Sequence, residues 1–190
     1  VKVELRPDTT LAVWHGQRVG LQALLTPDAL LNGKTLRPRM KSAGGMQADA
    51  RFMRYTLTND FRACGVPPEL EPWAVADIID LDTALTVESG RNYPLWVTVE
   101  VGKDAQSGEL SLELVDEASG KVMAEIPASI TVQPFSLPDP SSKDYFHLNL
   151  WQQPYAVCRY YNVEPWSPEH LKLLEPYAAL LARAGQKAIS

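Results

Sequence analysis

The residues best suited to handle a ligand lie late in the chain, in the run Tyr145-Phe-His-Leu-Asn-Leu-Trp-Gln-Gln-Pro-Tyr-Ala-Val-Cys-Arg-Tyr-Tyr161. Its first part reads as a strand, in which alternation sets Phe146, Leu148 and Leu150 on one face and His147, Asn149 and Trp151 on the other. A solvated strand face ordinarily carries Thr, Lys or Glu, whereas His, Asn and Trp call for hydrogen-bond partners or a cavity. That face suits the wall of a ligand cleft. Gln152 follows as a further hydrogen-bonding group, and Tyr155, Arg159 and Tyr160, in what reads as an aromatic loop, extend the rim. The competing reading is structural: Tyr155, Tyr160 and Trp166 wedge the loop against the preceding domain, Arg159 pairs with an acid, and the polar residues fill an interior.

The elements around this run can be read in order. After the loop comes a helix with Ser167 as N-cap, Pro168 at N1 and Glu169 in the first turn. Its apolar stripe is Leu171, Leu174, Ala178 and Leu181, and Gly185 stops it. Pro176 inside the pattern predicts a kink or a division in two. A second strand begins at Lys187 and has no room to finish, so the run reads as the opening of a βαβ unit in a chain that looks cut.

Upstream, the periodicity is that of strands. Val1–Leu5, Leu11–Trp14, Arg18–Thr26 and Arg51–Thr58 alternate, the last placing Phe52, Arg54 and Thr56 opposite Met53, Tyr55 and Leu57. Between residues 27 and 46 turn residues leave room only for short strands, with Lys34, Arg37, Arg39 and Lys41 on a solvated edge. Residues 59–73 form a long loop. Three amphipathic strands follow, built on Leu95-Val97-Val99-Val101, Leu110-Leu112-Leu114 and Ile126-Ala128-Ile130-Val132, and they read as a meander or part of a Greek key. Pro127 places the last of them at an edge, or with its missing donor turned away from the ladder. The fold class is mainly β: an immunoglobulin-like sandwich over residues 1–137, a Pro- and Ser-rich linker over 138–143, and an incomplete (β/α) barrel segment over 144–190.

Composition excludes several functions. The 190 residues are 45% hydrophobic and 22% charged, which is ordinary for a folded chain. The net charge of -5 with scattered Lys and Arg argues against nucleic acid and anionic membrane surfaces, and no apolar run reaches the length of a membrane span. Cys64 and Cys158 have no metal spacing and read as two buried thiols, with a disulfide open. Asp77, Asp80 and Asp82 invite a calcium reading but lack the glycine and glutamate of an EF-hand loop, so polar strand-end residues are the better reading. His15 reads as a surface histidine in a turn. No nucleophilic triad, zinc spacing or phosphate-cradling loop is present, and no cofactor is implied.

The run His147 to Tyr161, followed by Glu164-Pro-Trp-Ser-Pro-Glu-His170 and Ala184-Gly-Gln-Lys187, resembles the segment that enters the catalytic barrel in bacterial proteins of glycoside hydrolase family 123, the β-N-acetylgalactosaminidases and their relatives. Trp96-Val-Thr-Val-Glu-Val101, Ser107-Gly108 and Phe135-Ser-Leu-Pro138 look like the end of that family's N-terminal sandwich. The resemblance implies an exported bacterial protein, periplasmic or extracellular, although no signal peptide stands at Val1. It also implies a glycan partner containing N-acetylhexosamine, and substrate-assisted hydrolysis by an adjacent Asp-Glu pair on a later barrel strand. The adjacent pair here, Asp116-Glu117, falls in a hairpin turn, where solvent would keep a glutamate from becoming a general acid. No catalytic residue is therefore assigned and the chain alone is expected to be inactive. His147, Asn149, Trp151, Gln152, Tyr155 and Arg159 are the candidate sugar contacts, with Trp151 stacking on a ring. The alternative is a stand-alone carbohydrate-binding or assembly module. The unfinished barrel segment is expected to pack on the sandwich, self-associate or fray.

Overall fold

The computed structural model describes residues 2–3, 10–42, 44–58 and 71–188. The end of the expected Val1–Leu5 strand, Cys64 and most of the 59–73 loop lie outside the described residues. Contacts divide the chain into two compact units, Val1–Ser136 and Leu137–Ser190.

Among its described residues, the first unit has ten strands in two sheets. They are β1 (Lys2–Val3), β2 (Thr10–His15), β3 (Arg18–Thr26), β4 (Thr35–Lys41), β5 (Met46–Leu57), β6 (Ala74–Ile79), β7 (Leu85–Thr86), β8 (Tyr93–Val101), β9 (Gly108–Asp116) and β10 (Val122–Ser136). One sheet runs β1-β3-β8-β5-β6 and the other β2-β10-β9-β4-β7. The alternation read in β3 is the one observed: Val19, Leu21, Ala23 and Leu25 turn inward while Arg18, Gly20, Gln22 and Leu24 face out. Inward residues of both sheets, among them Leu25, Phe52, Leu95 and Val99 from one and Leu36, Leu112, Leu114 and Ile130 from the other, form a single core. The unit is thus a β-sandwich, as the hydrophobic periodicity requires.

Several expectations change. The last three long strands are no meander: β8 sits in the first sheet between β3 and β5, and the chain crosses to the second sheet before β9 and β10 pair as a hairpin. Residues 27–46 hold a full seven-residue strand, β4, paired with β9 over its length after Thr35. β7 covers its other side only at Thr35 and Leu36, so among the described residues Arg37 to Lys41 do line an edge. In β5, Phe52 and Met53 are both buried, so the alternation breaks there, and just beyond it the pairing with β6 shifts register between Arg54 and Tyr55. Pro127 lies in β10 opposite Ser111 of β9, and β2 joins β10 in parallel only from Ser129. Its missing donor therefore breaks no rung on the β2 side. His15 is half-buried at the end of β2.

Asp116 corrects the solvated-turn reading. It ends β9, is buried, and accepts from Lys34 (3.1 Å) and Ser119 (2.6 Å). Glu117 meets Arg37 from β4. Glu113, 1% exposed, lies beneath Arg39 (2.7 Å) and Lys41. The basic row of β4 is therefore one half of an ion-pair ladder. Asp80 and Asp82 likewise serve Arg54, at 2.8 and 2.9 Å, rather than a cation.

The second unit holds α1 (Pro154–Tyr161) and α2 (Pro168–Arg183). The aromatic loop is in fact mostly α1: Pro154 fits its first turn, and Asn162, at φ 53°, closes it in the left-handed conformation. Ser167 accepts from the His170 N–H as the N-cap of α2, and the helix runs through Pro176 undivided. The expected strand at 145–151 is reduced to one parallel bridge, Leu148 with Gln186.

Candidate functional site

The bridge between Leu148 and Gln186 is the element that positions the candidate residues. Gly185 makes it possible: its φ of +95° ends α2, and a Cβ there would lie 2.6 Å from the Tyr145 ring and 3.0 Å from the Phe146 carbonyl. Only glycine allows so close an approach. Gln186 follows, buried, and its carboxamide takes the place of a backbone rung. Its Oε1 accepts from the Leu150 N–H (3.2 Å) while its Nε2 donates to the Leu150 carbonyl (3.1 Å). These two fixed backbone partners determine which end of the amide is which. Nε2 also meets the Gln152 Oε1 (3.0 Å), and Gln152 donates back to Gln186 and to the Leu150 carbonyl.

Gln152 is thus held from behind, at the point where the extended segment passes into α1. Trp151, beside it, is 89% exposed, and His147 and Asn149 are exposed on the preceding residues. Tyr155 and Arg159, four residues apart, share one exposed face of α1. Among the described residues, no hydrogen bond joins His147, Trp151 or Arg159 to another member of the set, and no acid pairs with Arg159. The apolar face expected opposite His147 and Trp151 is open too, with Phe146 and Leu150 exposed.

His170 is the residue that sequence reasoning missed. It is fully buried, although the sequence reading gives it no role beyond its place in the run Glu164 to His170. Its Nδ1 accepts from the Trp166 N–H (2.9 Å), and its Nε2 meets the Pro154 carbonyl (3.0 Å). A backbone donor on one side and a backbone acceptor on the other leave only the neutral Nε2–H tautomer. His170 so pins the start of α1 to the turn before α2. Trp166 is held at φ 62° and packs edge-on against Tyr155, 5.5 Å between ring centres, with its Nε1 donating to the Tyr155 hydroxyl (3.1 Å). The Tyr155 hydroxyl keeps its own proton to donate. Tyr160 stacks edge-on against Tyr161. The signal that could have found His170 was its place at N3 of a well-capped helix, next to a tryptophan four residues earlier.

The adjacent Asp-Glu pair of the sandwich has the wrong electrostatics for a general acid. The adjacent Asp116 and Glu117 are held below the usual carboxylate range, Asp116 chiefly by its hydrogen bond from Ser119 and then Lys34, Glu117 by Arg37. A general acid needs the opposite shift. Among the described residues, no group of three His, Cys, Asp or Glu side chains is placed to hold a metal ion. No helix among them is long and apolar enough to cross a membrane. Cys158 is buried as a free thiol.

Two family models match the chain: the glycoside hydrolase 123 N-terminal domain over residues 2–115, and the glycoside hydrolase 123 catalytic domain over residues 151–190. No curated protein matches it. Among solved structures, a family 123 glycoside hydrolase from Clostridium perfringens, described for glycolipid glycan hydrolysis, superposes with a TM-score of 0.72 at 18% identity, over 95% of this chain and 32% of that one. This chain therefore spans about a third of that enzyme's length. The N-terminal domain of PorA superposes more loosely, with a TM-score of 0.34 at 11% identity over 70% of this chain and 92% of that one. The N-terminal model alone covers more than half of the residues. The chain belongs to glycoside hydrolase family 123.

Proposed function

We propose that these residues form the non-catalytic N-terminal portion of an enzyme that hydrolyses N-acetylhexosamine-containing glycans, with the first strand-helix unit of a (β/α)8 barrel attached. The observation that carries this is the parallel bridge from Leu148 to Gln186 across α1 and α2, falling where the catalytic-domain match begins. A parallel pair joined through helices is how a (β/α) barrel opens. In such barrels the groups that meet substrate stand at the C-terminal ends of strands, which is where Trp151 and Gln152 lie relative to Leu148.

In this reading Trp151 stacks on a sugar ring, His147, Asn149 and Gln152 form hydrogen bonds to it, and Tyr155 and Arg159 line the rim. Hydrolysis is substrate-assisted, the acetamido group acting as nucleophile under an Asp-Glu pair that these residues do not include. The enzyme works outside the bacterial cytoplasm, in the periplasm or at the cell surface. On its own, the 190-residue chain associates through the open faces of its second unit.

Incubation with an aryl N-acetyl-β-galactosaminide tests the proposal. The 190-residue chain should release no aryl alcohol, while the same residues followed by a complete family 123 barrel should, and Trp151→Ala in that longer protein should raise KM. Turnover by the chain alone would overturn the reading.

A further inference from the structure

We propose that one end of the sandwich carries a second ligand site, a cleft of about 380 Å³ that takes a short neutral oligosaccharide. The cleft exists because two strands part. β5 and β8 pair from Met46 with Val101 to Phe52 with Leu95 and no further. At the next position β8 has Pro94, which cannot donate, and β5 turns to β6 through its register shift at Arg54 and Tyr55. β8 stays with β3 as far as Tyr93. Met53 and Pro94, both buried, give the gap an apolar base, and Tyr55, Leu85 and Tyr93 line it with them.

The polar groups around this apolar floor are fixed from behind. Arg54 is held by Asp80 and Asp82, and Arg91 by Glu88 (3.0 Å). The Asn92 Oδ1 accepts from the Thr26 hydroxyl (2.9 Å), and the Tyr93 hydroxyl accepts from the Glu88 N–H (2.8 Å). The outer Arg91 nitrogens, the Asn92 amide N–H groups, the Tyr93 proton and the whole Tyr55 hydroxyl are left for a ligand. A few convergent polar groups around an apolar base, in a volume of this size, are the features of a small-molecule site.

The chemistry selects a neutral polyol. Both guanidiniums already face carboxylates, so an anionic ligand would meet Asp80, Asp82 and Glu88 close behind them. Planar forks such as those of Arg91 and Asn92 match pairs of adjacent hydroxyls, and a tyrosine face accepts the C–H side of a pyranose. The choice of a sugar over other neutral polyols rests on the reading of the chain as part of a glycan hydrolase. All of the residues that line the cleft belong to the first unit.

The test is an amide-shift titration of the isotope-labelled 190-residue chain with three probes: an N-acetylgalactosamine-containing trisaccharide, cellotriose, and sialyllactose as the anionic control. At least one neutral trisaccharide should give saturable shifts at Tyr55, Arg91 and Asn92, and sialyllactose should bind no better. Tyr55→Ala and Arg91→Lys, both at exposed positions, should each weaken binding about tenfold while leaving the melting temperature unchanged. No saturable shift with any probe, shifts confined to His147 and Trp151, preference for the anion, or variants that bind like the parent would each overturn it. Binding here without hydrolysis by the barrel-containing protein would sink the functional reading and leave this site standing. Hydrolysis with no binding here would do the reverse.

Discussion

Phe52, in the sandwich, is 1% exposed, while Phe146, in the second unit, is 75% exposed. The pair stands for two ways of holding a fold together. The sandwich closes a core of branched and aromatic side chains drawn from both sheets, and hydrophobic burial is its main stabilising term. Among the described residues of the second unit, only Cys158, His170, Gly185 and Gln186 are buried, and two of these are polar side chains clasping the backbone. Its order comes from hydrogen bonds at two points, His170 with Trp166 and Pro154, and Gln186 with Leu150. One unit resists change by packing, the other by polar clasps.

The sharpest way to break this comparison is to remove matched groups. Phe52→Ala should destabilise the sandwich by about 3–5 kcal/mol, read as a shift of the urea midpoint, because a large side chain leaves a cavity in a closed core. Leu171→Ala on the exposed side of α2 should move it by less than about 0.5 kcal/mol.

In the second unit the sensitive positions are the clasps. His170→Ala strands the Trp166 N–H and the Pro154 carbonyl, each costing about 1–3 kcal/mol if it stays buried. The expected outcome is faster amide exchange through α1 and the start of α2, with core amides of β3 and β8 unchanged. His170→Gln, which keeps a donor and an acceptor, should recover part of the protection; equal loss in both variants would mean that ring packing, not hydrogen bonding, does the holding.

Acid should act on the sandwich through its ion-pair ladder. The hydrogen bond from Arg54 holds Asp80 below its ordinary value, those from Lys41 and Arg39 hold Glu113 there, and those from Ser119 and Lys34 hold Asp116. A carboxylate whose pKa is lower in the folded state contributes its full stability above the unfolded value, about 4, and loses it as the pH falls through the folded value. The urea midpoint should therefore drop between about pH 5 and pH 3. Glu113→Gln should lower it at neutral pH and flatten that drop.

The same contrast explains what was legible beforehand. The period of two in β3 and β8 is written in consecutive residues, so their faces could be read directly. The ladder could not: Arg39 and Glu113 lie on neighbouring strands far apart in the chain, and nothing near Arg39 announces its partner. Asp116 escapes for the same reason, since its partner Lys34 lies 82 positions away in the chain. α1 stands where the sequence reads as an aromatic loop: Tyr155, Val157, Tyr160 and Tyr161 are weak helix formers, and Pro154 at its first turn is the available signal. The strand at 145–151 has the right alternation but, among the described residues, only Gln186 beside it, so a pattern that needs neighbours survives as a single bridge. Gln186 was visible as a residue and invisible as a rung.

The smallest expected change in stability carries the most information about the open unit. Leu180, on α2, is 50% exposed, as are Leu171 and Tyr177 to a similar degree. An exposed position tolerates a charge, so Leu180→Glu should change the melting free energy by no more than about 0.5 kcal/mol. Yet an apolar surface of this kind lowers its free energy by meeting another. Light scattering on the 190-residue chain should therefore show a mass that rises with concentration, and Leu180→Glu should bring it towards that of a monomer. A parent chain that stays monomeric over the whole range would show that the exposed residues of α2 need no covering, and would leave the polar clasps as sufficient support for the second unit.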